Sequence, residues 1–242
     1  MTGTARARLA FALDYPELDQ ARRGAELVRE SVGVLKVGLE LFVRSGPAAV
    51  GLGRELGCDV FLDLKLHDIP ETVERAVASA CEHGAKLLTL HAAGGPRMLE
   101  AAAERAAREN TGLVLLAVTV LTSLDASDLA AVGVPRSPSE QALALAQLAA
   151  RSGVGGCVCS VAEVAALRRE LGPRAVLVTP GIRPQQGRPS DDQKRVGTPA
   201  DAIRSGSSLL VVGRPIRDAA APRLAAQQLL AEVAEACGES TT

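Results

Sequence analysis

Phe61-Leu62-Asp63-Leu64-Lys65-Leu66-His67-Asp68-Ile69-Pro70 reads as a buried strand running into the start of a helix. Side chains two apart on a strand share a face, so Asp63 and Lys65 point the same way. Phe61, Leu62, Leu64 and Leu66 make their surroundings apolar. A charge costs several kcal/mol to desolvate, so two acids and a lysine at one strand end exceed what packing asks for. A structural ion pair closing the strand is the plainer reading. Pro70 sits where proline favours the first turn of a helix, so the stretch is one strand–helix unit.

The same unit recurs. Apolar runs predict strands at Leu9–Asp14, Val34–Gly38, Val60–Leu66, Leu87–Ala92, Leu113–Leu121, Gly155–Ser160, Ala175–Pro180 and Ser208–Gly213. Most are continuous rather than alternating, as parallel strands covered on both faces require. Between them, stretches such as Glu17–Ser31, Pro70–His83, Pro96–Asn110 and Pro138–Arg151 have Ala-rich amphipathic spacing. Eight such units in 242 residues predict an α/β fold, a single (β/α)8 TIM barrel over 1–242, for which roughly 250 residues is typical. An open doubly wound sheet is the alternative. It lacks its glycine fingerprint, because Asp14-Tyr15-Pro16 follows the first run. The least regular segment, Arg183–Gly197, follows the seventh run and reads as a lid loop, or else as a surface insertion.

Composition narrows the function classes. Hydrophobic residues make up 47% and aromatics 2%, without Trp, so the core must be aliphatic. The formal net charge is -1 with no basic or acidic block, which argues against a nucleic-acid groove or a membrane surface. No apolar run approaches the ~20 residues of a membrane span. Met1 to Arg8 lacks the apolar core of a signal peptide. Five cysteines (Cys58, Cys81, Cys157, Cys159 and Cys237) make no CxxC, so a zinc site is not expected. These features predict a soluble, cytoplasmic protein with reduced thiols.

In a barrel, function sits at the C-terminal strand ends. The polar residues there are Asp14, Lys36, Asp63, Lys65, Asp68, His91, Thr119, Thr122, Gly181, Arg183, Gly213 and Arg214. Lys36, Asp63 and Lys65 could form one alternating charge network. Gly213-Arg214 after the eighth run has the look of a phosphate grip: glycine lets backbone N–H groups approach and arginine offers a planar donor fork. Asp68 could merely cap the helix at Pro70. His67 alternates away from Lys65, and His91 could hydrogen-bond the barrel rim, so neither is assigned as acid or base. His83 fits a helix C-terminus before Gly84.

These residues resemble the orotidine 5′-phosphate decarboxylase family along nearly the whole chain. The matching segments are Ala12-Leu13-Asp14, Lys36-Val37-Gly38, Phe61 to Pro70, His91-Ala92-Ala93-Gly94-Gly95, Leu121-Thr122-Ser123, Thr179-Pro180-Gly181-Ile182-Arg183, Asp192-Gln193 and Val212-Gly213-Arg214. The Asp-x-Lys-x-x-Asp core also marks related sugar-phosphate enzymes; the other segments point to the decarboxylase. The resemblance implies a homodimer with shared active sites, no cofactor and no metal. It implies that Asp14 and Lys36 contact ribose hydroxyls and that Asp63 lies against the substrate carboxylate. Lys65 would protonate C6, and Asp68 would reach into the partner subunit's site. Thr72 would belong to the substrate-binding set, and Thr122 would bond the pyrimidine edge. Gln193 would bridge pyrimidine and phosphate, with Gln185 or Gln186 as substitutes, and Arg183, Gly213 and Arg214 would complete the phosphate end.

Two rival readings share part of this pattern. A magnesium-dependent keto-sugar-phosphate decarboxylase or aldolase of the same superfamily would need metal-binding acids at the mouth, where the second strand offers Lys36. A non-catalytic nucleotide-binding barrel would gain little from the Asp63–Lys65 pair.

Overall fold

Eight short apolar runs pair in chain order and close on themselves. The computed structural model describes residues 4–183 and 197–239. Within them, strands β1 (Leu9–Ala12), β2 (Val34–Val37), β3 (Asp59–Leu66), β4 (Leu87–His91), β5 (Val114–Val118), β6 (Gly156–Val158), β7 (Val176–Thr179) and β8 (Leu209–Val212) form a closed parallel barrel. β1 pairs with β2 on one side and β8 on the other. Helices lie between the strands, so the fold is a (β/α)8 TIM barrel.

All eight predicted strands are present, most of them shorter than the apolar runs. The run Leu113–Leu121 pairs only over Val114–Val118. Its tail is apolar for another reason: Val120 packs with Leu129 and Ala142 in a small cluster outside the sheet. The helices at Pro70–Glu82, Pro96–Glu109 and Pro138–Arg151 begin at the prolines that predicted them. The last carries a full capping box between Ser137 and Glu140, which satisfies backbone N–H groups that a helix start leaves without partners.

Two apolar layers fill the barrel. Ala10, Ala12, Val34, Phe61, Leu87, Leu116, Val176, Val178, Leu209 and Val211 form the inner core. Their chain neighbours Leu9, Phe11, Leu35, Leu62, Leu88, Leu115, Leu177, Leu210 and Val212 face the outer cluster shared with the helices. Burial on both faces explains why the runs look continuous in the sequence.

The inner rows change character toward the C-terminal rim. Ala12 is followed two residues on by Asp14, Val34 by Lys36, Phe61 by Asp63 and Leu87 by Thr89. Strand alternation alone carries these polar groups to the inside of the mouth.

Candidate active site

A chain of alternating charges crosses the mouth of the barrel. Lys36 Nζ lies 3.5 Å from Asp14 Oδ1 and 3.4 Å from Asp63 Oδ2. Lys65 Nζ donates to both Asp63 oxygens, at 2.8 and 2.9 Å. Asp63 is 7% exposed. Burial pushes its carboxyl up and is the largest single influence. Lys36 and Lys65, then hydrogen bonds from Lys65 and Thr89, outweigh it and hold the group below the ordinary carboxylate range. Asp63 is therefore an anion at neutral pH.

Lys65 reaches this position by a route that strand alternation does not contain. Its φ is 51°, and among the described residues only Asn110 shares a positive φ without being glycine. Left-handed backbone costs an L-residue roughly 1–2 kcal/mol, and such strain persists where surrounding contacts over-determine it. The register slips here: Leu62 pairs with Leu88, but Leu66 pairs with Leu90. Four steps on β3 thus match two on β4. The slip is even, so Asp63 and Lys65 still share the inner face, while Leu64 and Leu66 pack on the outer one.

The freed backbone finds a side-chain partner. Lys65 N–H donates to Thr89 Oγ1 at 2.9 Å, and the Thr89 hydroxyl donates to Asp63 Oδ1 at 2.9 Å. Thr89 is fully buried. Sequence reasoning passed over this residue. Its signal was a lone hydroxyl within Leu87-Leu88-Thr89-Leu90, on the inner row that His91 continues.

Two glycines keep the network accessible. A Cβ on Gly38 would lie 3.1 Å from Lys36 Nζ, and one on Gly213 would lie 3.3 Å from Asp14 Oδ2. Beyond Gly213 the short helix Arg214–Arg217 begins, and Arg217 Nη1 donates to the Asp14 carbonyl at 2.9 Å. That bond ties the rim after β8 to the rim after β1. It is a second contributor that sequence reasoning did not name.

Lys36, Asp63 and Lys65 form one wall of a cavity of about 240 Å³. Phe61, Val118, Val120, Leu121, Val158, Pro180 and Val211 line the rest, with Thr122 and Cys159. The chamber thus sets fixed charges against apolar walls, where electrostatic interactions are stronger than in water. Cys159 is buried and its thiol is pushed well up, first by its hydrogen bond with Cys157 and then by burial, so it is not a nucleophile. The five cysteines are free thiols.

The other predicted residues lie around this chamber. Asp68 and Thr72 are exposed, just before and within the first turn of the helix Pro70–Glu82. Asp68 Oδ1 accepts from Ile69 N at 2.6 Å. The N-cap position is Ile69 and has no side-chain cap bond, so capping does not account for Asp68. Arg183 is half-buried; its N–H donates to the Gly197 carbonyl at 3.0 Å and its Nη1 to the Ile182 carbonyl at 2.9 Å. Gln185, Gln186, Gln193 and most of the loop predicted over 183–197 lie outside the described residues. His91 stacks near His67 with ring centroids 5.4 Å apart. Burial first, then His67 and Lys65, hold His91 below its ordinary pKa, which keeps it neutral. Among the described residues no group of three or more His, Cys, Asp and Glu is placed to hold a metal ion. No described helix is long and apolar enough to cross a membrane.

Known proteins resemble this chain in sequence and fold. A profile of the orotidine 5′-phosphate decarboxylase / HUMPS family matches residues 7–229. The chain belongs to that family. It is 53% identical over 224 residues to the orotidine 5′-phosphate decarboxylase of Anaeromyxobacter sp. (strain K), covering 93% of this chain and 97% of that one. It is 50% identical over 227 residues to the decarboxylase of Chromohalobacter salexigens, covering 94% and 96%. Among solved structures, the orotidine 5′-phosphate decarboxylase from Lactobacillus acidophilus superposes with a TM-score of 0.80 at 33% identity, over 94% of this chain and 99% of that one. The matched span contains all eight strands and the residues of the charge chain.

Proposed function

We propose that this barrel converts orotidine 5′-phosphate to uridine 5′-phosphate and carbon dioxide. The observation that carries the reading is the Asp14–Lys36–Asp63–Lys65 chain standing against an apolar chamber. The family relatives bear the name of this activity. The C6–carboxylate bond breaks so that its electron pair stays on C6 and carbon dioxide leaves. A vinylic carbanion has no carbonyl or imine in which to spread that charge. The Lys65 ammonium, fixed in advance by Asp63, stabilises it electrostatically and then gives its proton to C6; solvent restores the proton on Lys65. Asp63 lies against the departing carboxylate. Lys36 and Asp14 hold the ribose hydroxyls, and Thr122 bonds the pyrimidine edge. Arg183, Gly213 and Arg214 grip the phosphate, whose binding energy organises the distant reacting end.

The same reading makes residues 1–242 one catalytic barrel with a lid at about 183–197, in a cytoplasmic homodimer. Asp68 then reaches into the partner subunit's site, and Thr72 belongs to the substrate-binding set. Exposed apolar side chains support the pairing: Val43 at 80%, Ile69 at 64% and Leu39 at 52% lie on the segments that follow the adjacent strands β2 and β3. Apolar surface of this kind is what an interface between two chains would cover.

Purified protein mixed with orotidine 5′-phosphate should remove its absorbance and yield uridine 5′-phosphate, at the same rate with a chelator present. No turnover would refute the reading and leave a nucleotide-binding barrel. Chelator-sensitive turnover of a keto-sugar phosphate, restored by magnesium, would point to the sugar-phosphate branch.

Arg214→Ala should weaken the phosphorylated substrate and leave the nucleoside untouched. A charge-assisted hydrogen bond is worth about 1.5–3 kcal/mol, or about 10- to 150-fold in kcat/KM. If phosphate binding also drives closure, kcat falls with affinity. Equal losses for nucleotide and nucleoside would assign Arg214 to the fold instead.

A further inference from the structure

We propose that Thr89 is a positioning residue of this site: its one hydroxyl sets where the Lys65 ammonium and the Asp63 carboxylate stand relative to each other. The inference rests on the decarboxylase reading of the site and adds a residue to it.

A threonine hydroxyl has one proton to donate and two lone pairs with which to accept. Here the proton goes to Asp63 Oδ1 and a lone pair takes the Lys65 backbone N–H, both at 2.9 Å. Each bond meets a need created by the irregularity of β3. The register slip between Leu62 and Leu66 removes Lys65 from the β4 ladder, so its N–H has no strand partner. A donor in that position is costly to leave unpaired. The left-handed φ of 51° at Lys65 turns that N–H toward β4, where Thr89 stands opposite.

The second bond orients the carboxylate. Asp63 Oδ1 receives Thr89 and Lys65, whereas Oδ2 receives Lys65 at 2.9 Å and faces Lys36 at 3.4 Å. Both lysines reach Asp63 through flexible stems. Thr89 has a β-branched side chain with restricted χ1, is 0% exposed and sits on a paired strand. It is the rigid reference against which the two mobile ammonium groups are held. It does not line the chamber, so it acts through Asp63 and Lys65 rather than on substrate.

A purely structural threonine would predict something else. Valine has nearly the same shape, so if Thr89 only filled space, Thr89→Val would change little beyond stability. Under the positioning role, Thr89→Val should lower kcat for orotidine 5′-phosphate by about 10- to 100-fold, the scale on which misplacement of a reacting group acts. KM and the affinity for uridine 5′-phosphate should stay within about threefold, because ground-state contacts remain. Thr89→Ser keeps the hydroxyl and should keep kcat within about threefold. Amide exchange at Lys65 should be at least about tenfold faster in Thr89→Val than in the parent or in Thr89→Ser.

Unchanged kcat in Thr89→Val would overturn the proposal. So would equal losses in the valine and serine variants, or losses of kcat, product affinity and melting temperature in parallel. If Thr89→Val does not fold, Thr89→Ala is compared with Thr89→Ser by the same measurements. If the parent itself does not turn over orotidine 5′-phosphate, the decarboxylase reading fails; Lys65 amide exchange then decides the positioning claim, and unchanged protection in the valine variant sinks it.

Discussion

Lys65→Ala should abolish decarboxylation while the barrel stays folded. Two contributions disappear together. Loss of a positioned general acid typically costs about 10²–10⁴ in rate, and loss of a preorganised electrostatic group costs about 10²–10³. A fall of at least about 10⁴-fold in kcat is therefore expected. The fold should survive because Asp63 keeps Lys36 at 3.4 Å and Thr89 at 2.9 Å, so its buried charge is not left alone. The Lys65 N–H is a backbone group and can still reach Thr89 Oγ1. Uridine 5′-phosphate should still bind, since the residues proposed for ribose and phosphate, Asp14, Lys36, Arg183, Gly213 and Arg214, are left in place. Progress curves together with calorimetric binding of the product test both halves. Turnover within tenfold of the parent would remove Lys65 from the chemistry, and with it the proposed mechanism.

Mixing two inactive variants should restore activity. Asp68→Ala and Lys65→Ala are each expected to be nearly inactive as homodimers. After subunit exchange, a mixed dimer holds one site with both residues and one site with neither. Random association in an isologous pair then returns roughly a quarter of the parental activity per chain. The competing account, Asp68 as a helix cap, would cost only about 1 kcal/mol of stability and leave turnover intact. The geometry already weakens that account: Asp68 bonds the N–H of its neighbour Ile69 rather than a group inside the first turn. The discriminating measurement is activity after exchange has been verified by mass. Full exchange without recovery would mean that each chain builds its own site.

Much of this site is legible in the sequence, for reasons of strand burial, helix starts and strand alternation. Parallel strands buried on both faces must be apolar throughout, so runs such as Leu113–Leu121 and Ser208–Gly213 announce themselves. Prolines at 70, 96 and 138 mark helix starts because their missing N–H is not needed there. Alternation then carries Asp14, Lys36 and Asp63 to the inner rim. The same alternation would have carried Thr89 there. It was hidden because a hydroxyl between leucines resembles an ordinary β-branched strand residue.

Local sequence determined which residue types stand at each strand end, and therefore which charges the mouth holds. Only the closed barrel decided how they meet. Asp14, Lys36 and Asp63 stand at the ends of three neighbouring strands, and their separations of 3.4 and 3.5 Å follow from sheet pairing. The slip between Leu62 and Leu66 is equally invisible in the chain, because no glycine marks it. Lys65 can hold its left-handed backbone because the side chain of Thr89, 24 residues away, supplies the partner that the β4 backbone does not. A conformation that costs free energy locally is kept by a contact that exists only once the strands are side by side.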